Sequence, residues 1–87
     1  MATYTLEIVP SALKQLAALH KEDQARISAA ITELKQTPRP DGVKKLKGKQ
    51  AGLYRIRIGS YRVIYSINDK ILHVLVVWIG QRGEAYK

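Results

Sequence analysis

The pattern of apolar and polar positions predicts a strand and then two helices in the first half of the chain. The segment TYTLEIV alternates residue by residue, which is typical of a half-buried strand. From Pro10, apolar residues recur every three or four positions as far as His20, and after a break near Lys21 this spacing continues over residues 27–34. Prolines within residues 37–42 end the second helix because they lack an amide donor. We therefore expect two antiparallel helices joined by a short turn.

The second half of the chain has the two-residue period of β-strands. Its predicted strands are Leu53–Ile58, Tyr61–Ile67 and Ile71–Ile79. Gly59-Ser60 and residues 68–70 have the composition of hairpin turns, and a leading glycine suits a type II′ turn. The last strand is apolar on both faces, so it should lie centrally or have its second face covered. The preceding segment VKKLKGKQAG, residues 43–52, is predicted to be a loop that Leu46 anchors to the body.

The order of these segments predicts an α+β fold. An N-terminal strand, an α-helical hairpin and a three-stranded antiparallel meander should form one antiparallel sheet with the helices on one face. A length of 87 residues suits one domain, which we take as residues 1–87. The chain has no cysteine, no apolar run near the ~20 residues of a membrane helix and no signal-peptide pattern at its start. We therefore expect a cytoplasmic protein without a membrane partner.

The predicted hairpin around Gly59-Ser60 separates an apolar face from a basic one. Its register places Arg57 opposite Arg62 and Arg55 opposite Ile64. The other face carries residues suited to the core: Tyr54, Ile56, Ile58, Tyr61, Val63 and Tyr65. Directly opposed like charges repel, and no carboxylate of the hairpin offsets them. A bound anion would, because the planar guanidinium group pairs bidentately with phosphate.

The formal charge of +8 belongs entirely to the second half of the chain. Residues 1–42 hold five basic and five acidic side chains, whereas residues 43–87 hold ten basic and two acidic ones. The basic residues around the hairpin are Lys44, Lys45, Lys47, Lys49 and Arg82, with Tyr86 close behind. Such segregation favours a polyanion-binding surface, for nucleic acid or an acidic protein. The alternative is a solvated face on which arginine stems cover apolar surface.

The residues offer no metal site and no protein nucleophile. The two histidines, His20 and His73, stand apart and the acids are scattered, so we predict neither a metal nor a cofactor. RNA cleavage remains chemically accessible, because the 2′-hydroxyl of the substrate can attack the adjacent phosphate. Arginine and tyrosine can align the substrate and stabilise charge. They transfer protons poorly, with ordinary pKa values of about 10 for tyrosine and above 12 for arginine. The general acid and base stay open.

The run KKLKGKQAGLYRIRIGSYRVIYSI, followed by VVWIGQRGEAYK, closely resembles the RelE group of bacterial toxin–antitoxin toxins, within the RelE/ParE superfamily. The resemblance covers nearly the whole chain. It implies an mRNA endonuclease that cuts in the ribosomal A site and is silenced by a cognate RelB-like antitoxin. The corresponding basic and aromatic positions are Arg55 and Arg57 in the YRIR-type strand, Arg62 in the GYR-type strand, Arg82 and Tyr86. Where many relatives have histidine or lysine, this chain has Gln81, which cannot transfer protons at neutral pH.

The resemblance also implies a role for each of these positions. Arg57, Arg62 and Arg82 would clamp the scissile phosphate with support from Arg55, and Tyr86 would stack on a base or assist proton transfer. The four lysines between residues 44 and 49 would hold ribosomal RNA, and operator DNA would be contacted only through the antitoxin complex. Two alternatives stay open: a ParE-like non-catalytic inhibitor of DNA gyrase, and a binding module that acts only in an antitoxin–operator complex. A gyrase inhibitor has no need for this combination of residues.

Overall fold

The strand and helix patterns of the sequence fold into one sheet with two helices on one of its faces. The computed structural model describes residues 3–81. Its elements are β1 (Thr5–Ile8), α1 (Pro10–Ala17), α2 (Lys21–Glu33), β2 (Lys44–Lys45), β3 (Leu53–Ile58), β4 (Tyr61–Asn68) and β5 (His73–Gln81). The strand order is β1-β5-β4-β3-β2. The predicted α+β class, with two helices and a β3–β4–β5 antiparallel meander in one sheet, is confirmed.

The sheet is mixed, which corrects the prediction of an antiparallel one. β1 pairs in parallel with β5, and Thr5 lies opposite His73 while Ile8 lies opposite Val76. Strands joined by tight turns must run antiparallel, as β3, β4 and β5 do. β1 is connected to the meander through both helices, and so long a connection permits the parallel direction. β5 therefore lies inside the sheet, between β1 and β4, as its apolar faces predict.

The lysine-rich segment contains a strand, so its prediction as a loop is wrong at Lys44–Lys45. These two residues form β2 and lie opposite Arg55 and Tyr54 of β3. The amide of Leu46 continues the contact by donating to the carbonyl of Leu53 at 2.9 Å. An edge strand presents unpaired backbone groups, and β2 satisfies those at this end of β3. Leu46 is half-buried and the lysines are exposed, as expected of an anchored basic segment.

The break between the helices comes earlier than the apolar spacing indicates. α1 ends at Ala17, and His20 is the N-cap of α2 rather than the end of the first helix. The side-chain amide of Gln24 donates to the carbonyl oxygens of Leu19 at 2.7 Å and Ala17 at 3.2 Å, which stabilises the tight connection. Within residues 3–81, no helix has both the length and the apolar character needed to span a membrane.

The β4–β5 turn is longer than predicted, and β5 begins at His73 instead of Ile71. The side-chain oxygen of Asn68 accepts hydrogen bonds from the amides of Lys70 at 3.1 Å and Ile71 at 3.4 Å, which holds both residues in the turn. Leu72 completes the turn with a φ of 51°. As a result, Ile71 is 67% exposed despite its position in an apolar run.

The core fills the space between the helices and the apolar face of the hairpin. The buried members are Ala12, Ile27, Ile31, Leu34, Ile56, Tyr61, Val63, Tyr65, Val74, Val76 and Ile79. All six hairpin residues predicted to face the core are buried or half-buried. Tyr65 is fully buried, and its hydroxyl donates to the carbonyl of Pro38 at 2.7 Å, which ties the proline-containing connection to the sheet. Desolvation by this burial raises the pKa of Tyr65.

Candidate nucleic-acid interface

Basic side chains from three neighbouring strands share the sheet face opposite the helices. The predicted register is confirmed where Arg57 of β3 lies opposite Arg62 of β4. Arg55, two residues earlier on β3, shares the face of Arg57, and Lys44 of β2 lies opposite Arg55. We call these four residues, Lys44, Arg55, Arg57 and Arg62, the basic cluster. The hairpin geometry therefore brings together three of the arginines that the sequence singled out.

The turn that fixes this register is held against α2. Gly59 has a φ of 60°, as the first central residue of a type II′ turn requires. A Cβ added there would come within 2.6 Å of Nη2 of Arg26, so the guanidinium group of Arg26 packs directly on the turn. Arg26 lies 3.6 Å from Asp23, and Asp23 also accepts a hydrogen bond from the hydroxyl of Tyr61 at 3.1 Å. These contacts connect the β3–β4 turn to the helical layer.

The guanidinium groups of the basic cluster lack protein partners in the described part of the chain. The Nε atoms of Arg55 and Arg62 are buried without a hydrogen bond. Among residues 3–81, no carboxylate lies within 4.0 Å of these groups or of Arg57. Burial, followed by the charges of Arg57 and Arg62, lowers the pKa of Arg55. An unsatisfied buried donor costs about 1–3 kcal/mol, so an anion bound here would be stabilising.

Arg39, which is not part of the basic cluster, is neutralised by a carboxylate. Arg39 donates to Asp69 at 2.9 and 3.3 Å, and its guanidinium carbon lies 5.3 Å from the ring centre of Tyr54. The hydroxyl of Tyr4 also donates to Asp69, at 2.6 Å. Hydrogen bonds from Arg39 and then Tyr4 lower the pKa of Asp69. Arg39, which has a structural role, is therefore paired with a carboxylate, whereas the arginines of the basic cluster have no such partner in the described part of the chain.

A bulge in β5 places Trp78 beside the basic cluster. The β4–β5 pairing shifts between Ile64 and Tyr65. As a result, Ile64 lies opposite Trp78 and Val77 is the extra residue. Without the bulge, Trp78 would lie opposite Val63 and point into the core. The sequence pattern does not single out Trp78, because strict alternation cannot register an inserted residue.

The indole of Trp78 lies along its own strand, over Gly80. A Cβ at residue 80 would collide with the ring atoms Cζ2 and Cη2 of Trp78. Gly80 lies opposite Arg62, so the ring is a neighbour of the basic cluster. Ile64 is only 4% exposed although it lies on this face, whereas Trp78 is partly exposed. The face therefore combines guanidinium groups with an accessible aromatic ring.

The four predicted RNA-binding lysines are exposed but do not share one face. Lys44 belongs to the basic cluster, whereas Lys45 lies opposite Tyr54 and points to the other side of the sheet. Lys47 precedes the 3₁₀ turn Gly48–Gln50, and Lys49 lies within it. These four lysines form a surface along the β2 edge that we call the lysine rim. Only Lys44 belongs to both the lysine rim and the basic cluster.

Two predicted site residues, Arg82 and Tyr86, lie outside the described residues. The described part of β5 ends at Gln81, opposite Tyr61. Within residues 3–81 no group of three or more histidine or acidic side chains is placed to hold a metal ion. His73 hydrogen-bonds to Glu7 at 3.0 Å between β5 and β1. The chemistry available on the described face is that of guanidinium groups and one aromatic ring.

Known proteins of similar sequence and fold are bacterial and archaeal toxins. A family model described as "ParE toxin of type II toxin-antitoxin system, parDE" matches residues 6–86. The protein named "Putative toxin RelE1" from Methanocaldococcus jannaschii is 34% identical over 89 residues, which cover 97% of this chain and 96% of that protein.

Solved structures with a similar fold are also toxin chains of toxin–antitoxin complexes. The archaeal RelE–RelB complex from Pyrococcus horikoshii contains a chain with 36% identity and a TM-score of 0.82, over 95% of this chain and 99% of that one. A chain of the RelBE2 toxin–antitoxin complex from Mycobacterium tuberculosis has 27% identity and a TM-score of 0.83, over 93% and 100%. The family match spans nearly the whole sequence and the fold matches over the same range. This chain therefore belongs to the RelE/ParE superfamily of type II toxin–antitoxin toxins.

Proposed function

We propose that this toxin is a metal-independent endoribonuclease that cleaves mRNA in the ribosomal A site. One observation carries the proposal: Arg55, Arg57 and Arg62 converge on one face, and two of the three have a buried Nε atom without an acceptor among residues 3–81. Maintaining such a cluster costs folding free energy, and a phosphate group is the ligand that would offset the cost. A gyrase-binding surface requires no such convergence of unpaired guanidinium groups.

The reaction uses a nucleophile that RNA supplies. The 2′-oxygen attacks the adjacent phosphorus, its proton passes to a base, and the bond to the 5′-oxygen breaks as that oxygen receives a proton. The products are a 2′,3′-cyclic phosphate and a 5′-hydroxyl. Arg57 and Arg62 stabilise the negative charge on the non-bridging oxygens, and Arg55 supports them. Arg82 and Tyr86, which follow β5 in the sequence, complete the site through phosphate binding and base or proton contacts.

The lysine rim positions the enzyme on its cytoplasmic target, the ribosome. Lys44, Lys45, Lys47 and Lys49 are exposed, and none forms an ion pair within residues 3–81. Contacts of this kind follow the RNA backbone without sequence preference. The lysine rim therefore supplies affinity, and the arginines of the basic cluster supply chemistry.

The inhibitor in the cell is a RelB-like antitoxin. The toxins of P. horikoshii and M. tuberculosis were solved in complexes with their antitoxins, and the charge of +8 suits an acidic partner segment. Operator DNA is contacted through that complex, which would be the main role if the free protein had no activity. Co-expression with the adjacent small reading frame tests the pairing: an affinity tag on the toxin should recover an acidic partner. Recovery of the toxin alone would argue against it.

The decisive assay is translation on purified ribosomes with mapped mRNA ends. Wild-type protein should produce cuts within the A-site codon and cyclic phosphate at the new 3′ ends, whereas Arg62→Ala should cut about 10²–10³-fold more slowly. Lys14→Ala, an equal change of charge on exposed α1, should cut at the wild-type rate. Uncut mRNA with the wild-type protein, or equal cutting by Arg62→Ala, would refute the proposal.

The second candidate is inhibition of DNA gyrase, which the ParE description of the family model favours. Purified gyrase and a relaxed plasmid separate the two candidates. If the toxin cleaves RNA, supercoiling proceeds in its presence while mRNA on ribosomes is cut. A block in supercoiling with intact mRNA would instead assign this chain to the gyrase inhibitors.

A further inference from the structure

Two features of Trp78 and its surroundings would be unnecessary if the indole served only to cover apolar surface. The bulge at Val77 turns the side chain away from the core, where an indole would bury more apolar area. Gly80 then leaves open the space that the ring occupies, because any Cβ there would collide with it. Gly80 lies inside a β-strand, where glycine weakens the strand relative to residues with side chains. The bulge and Gly80 each have a local cost in stability for β5. Together they place the indole on the face that carries the basic cluster.

The position of the ring relative to the basic cluster indicates what it would bind. Gly80 lies opposite Arg62 and Trp78 lies opposite Ile64, so the strand that carries the ring lies one strand spacing, about 4.8 Å, from the strand of Arg62. A strand of RNA that places a phosphate at the arginines brings an attached base to this part of the face. Bases stack on aromatic side chains that lie flat on a sheet, and the stacking tolerates any base because each has a π-face.

We propose that Trp78 is a stacking platform for a nucleobase of the RNA strand whose phosphate the basic cluster binds. The inference rests on the proposed function and adds to it a contact to the base rather than to the backbone. Trp78 is a positioning residue: it holds the nucleotide so that the adjacent phosphate reaches Arg57 and Arg62. Ile64 lies opposite Trp78 and is only 4% exposed, so coverage of Ile64 by the ring is the structural alternative that the variants below test.

The single tryptophan of the chain makes this contact directly measurable. The probe is a short 2′-O-methyl oligoribonucleotide, which lacks the attacking hydroxyl and stays intact. Its control is an oligomer of the same length and charge with abasic sugars. The base-bearing probe should quench Trp78 fluorescence, and the abasic oligomer should bind with little quenching. Binding of both oligomers without quenching would overturn the stacking role and leave the phosphate site in place. Binding of neither would overturn both.

Variants separate stacking from coverage of Ile64. Trp78→Leu keeps apolar volume without a π-face, so affinity for a fluorescently labelled base-bearing probe should fall about 5- to 100-fold while affinity for the abasic oligomer stays unchanged. Trp78→Tyr should recover most of the affinity, and it serves as the test if Trp78→Leu does not fold. Equal decreases for both oligomers, or no decrease for either, would show that the ring has only a structural role.

Gly80→Ala provides a test that keeps the tryptophan. The added methyl group displaces the indole, so quenching by the base-bearing probe should decrease and the melting temperature should fall. In the Trp78→Leu background the same substitution should be nearly neutral for stability, because the colliding ring is gone. If Gly80→Ala leaves the quenching unchanged, the packing of the indole ring over Gly80 has no part in base binding.

Discussion

Arg57 lies directly opposite Arg62 in the β3–β4 ladder, and neither has a carboxylate within ion-pair distance among residues 3–81. Opposed like charges destabilise an antiparallel pair by a few tenths of a kcal/mol or more. The buried Nε atom of Arg62 adds the cost of an unpaired donor. The arrangement is therefore unfavourable for the isolated protein and favourable only once an anion is bound. Under the proposed function, stability and activity are therefore opposing properties of the same residues.

The first prediction follows from that opposition. Arg62→Met keeps the unbranched stem over the sheet but removes the charge and the unpaired donor. We expect the free energy of unfolding to rise by a few tenths to about 1 kcal/mol, a gain in melting temperature of up to several degrees, and we expect mRNA cleavage to slow about 10²–10³-fold. Thermal denaturation and the ribosome assay on the same preparation measure both quantities.

Arg39→Met is the matched control for that substitution. Arg39 is paired with Asp69 and stacked on Tyr54, so the same chemical change should lower the melting temperature. If both variants are destabilised to the same extent, the guanidinium groups of the basic cluster are not in an unfavourable environment.

The second prediction concerns stabilisation by oxyanions. Phosphate or sulfate should raise the melting temperature more than chloride at equal ionic strength, because a ligand of the folded state stabilises it by RT ln(1 + [L]/Kd), about 2.7 kcal/mol at a hundredfold excess over Kd. The double variant Arg57→Met/Arg62→Met should retain only the general salting effect of these ions. A wild-type response no larger than that of the double variant would mean that the face has no anion site.

The third prediction concerns acid sensitivity. Hydrogen bonds from Arg39 and Tyr4 place the folded pKa of Asp69 below its ordinary value of 3.8. The unfolded chain therefore binds more protons, so the stabilisation is fully present above about pH 4 and disappears as the pH falls through the folded pKa. Melting curves of wild type and Asp69→Asn at pH 7 and pH 3 test this: the difference between the two proteins should shrink at pH 3. A difference that stays constant would exclude this carboxylate as a source of acid sensitivity.

The fourth prediction concerns the lysine rim. Replacing Lys47 and Lys49 with glutamine should weaken ribosome binding and reduce the slope of log affinity against log salt by about 0.7–0.9 for each RNA phosphate that the variant no longer neutralises. The pair Lys14→Gln/Lys21→Gln removes the same charge from exposed helical positions and should leave the slope unchanged. Sedimentation with purified ribosomes over a range of salt concentrations measures both. Equal effects of the two pairs would mean that only net charge matters.

The hairpin and its basic face could be predicted from the sequence because they depend on local geometry. A two-residue turn at Gly59-Ser60 permits one register, and that register decides which arginines face each other. The core followed from the same alternation. The placement of Arg57 opposite Arg62 is confirmed, whereas their role in catalysis, with that of Arg82 and Tyr86, stays a prediction.

The features that the sequence did not reveal depend on contacts between distant segments. β2 has only two residues, too few to show a periodicity, and exists because the edge of β3 offers it partners. Asp69 joins Tyr4 and Arg39 across gaps of 65 and 30 residues, which no local pattern records. The bulge at Val77 moves each later side chain of β5 to the opposite face of the sheet. Trp78 therefore appears as a core residue in an alternating pattern but lies on the open face in the structure.

The parallel pairing of β1 with β5 has a consequence for the order of folding during synthesis. β1 has no other strand neighbour within residues 3–81, so it must wait for β5, almost 70 residues later, to leave the exit tunnel. Until then the growing polypeptide lacks both a closed core and the strand that carries the indole. Under the proposed function, a product of interrupted synthesis that ends before β5 would therefore be inactive against the ribosome.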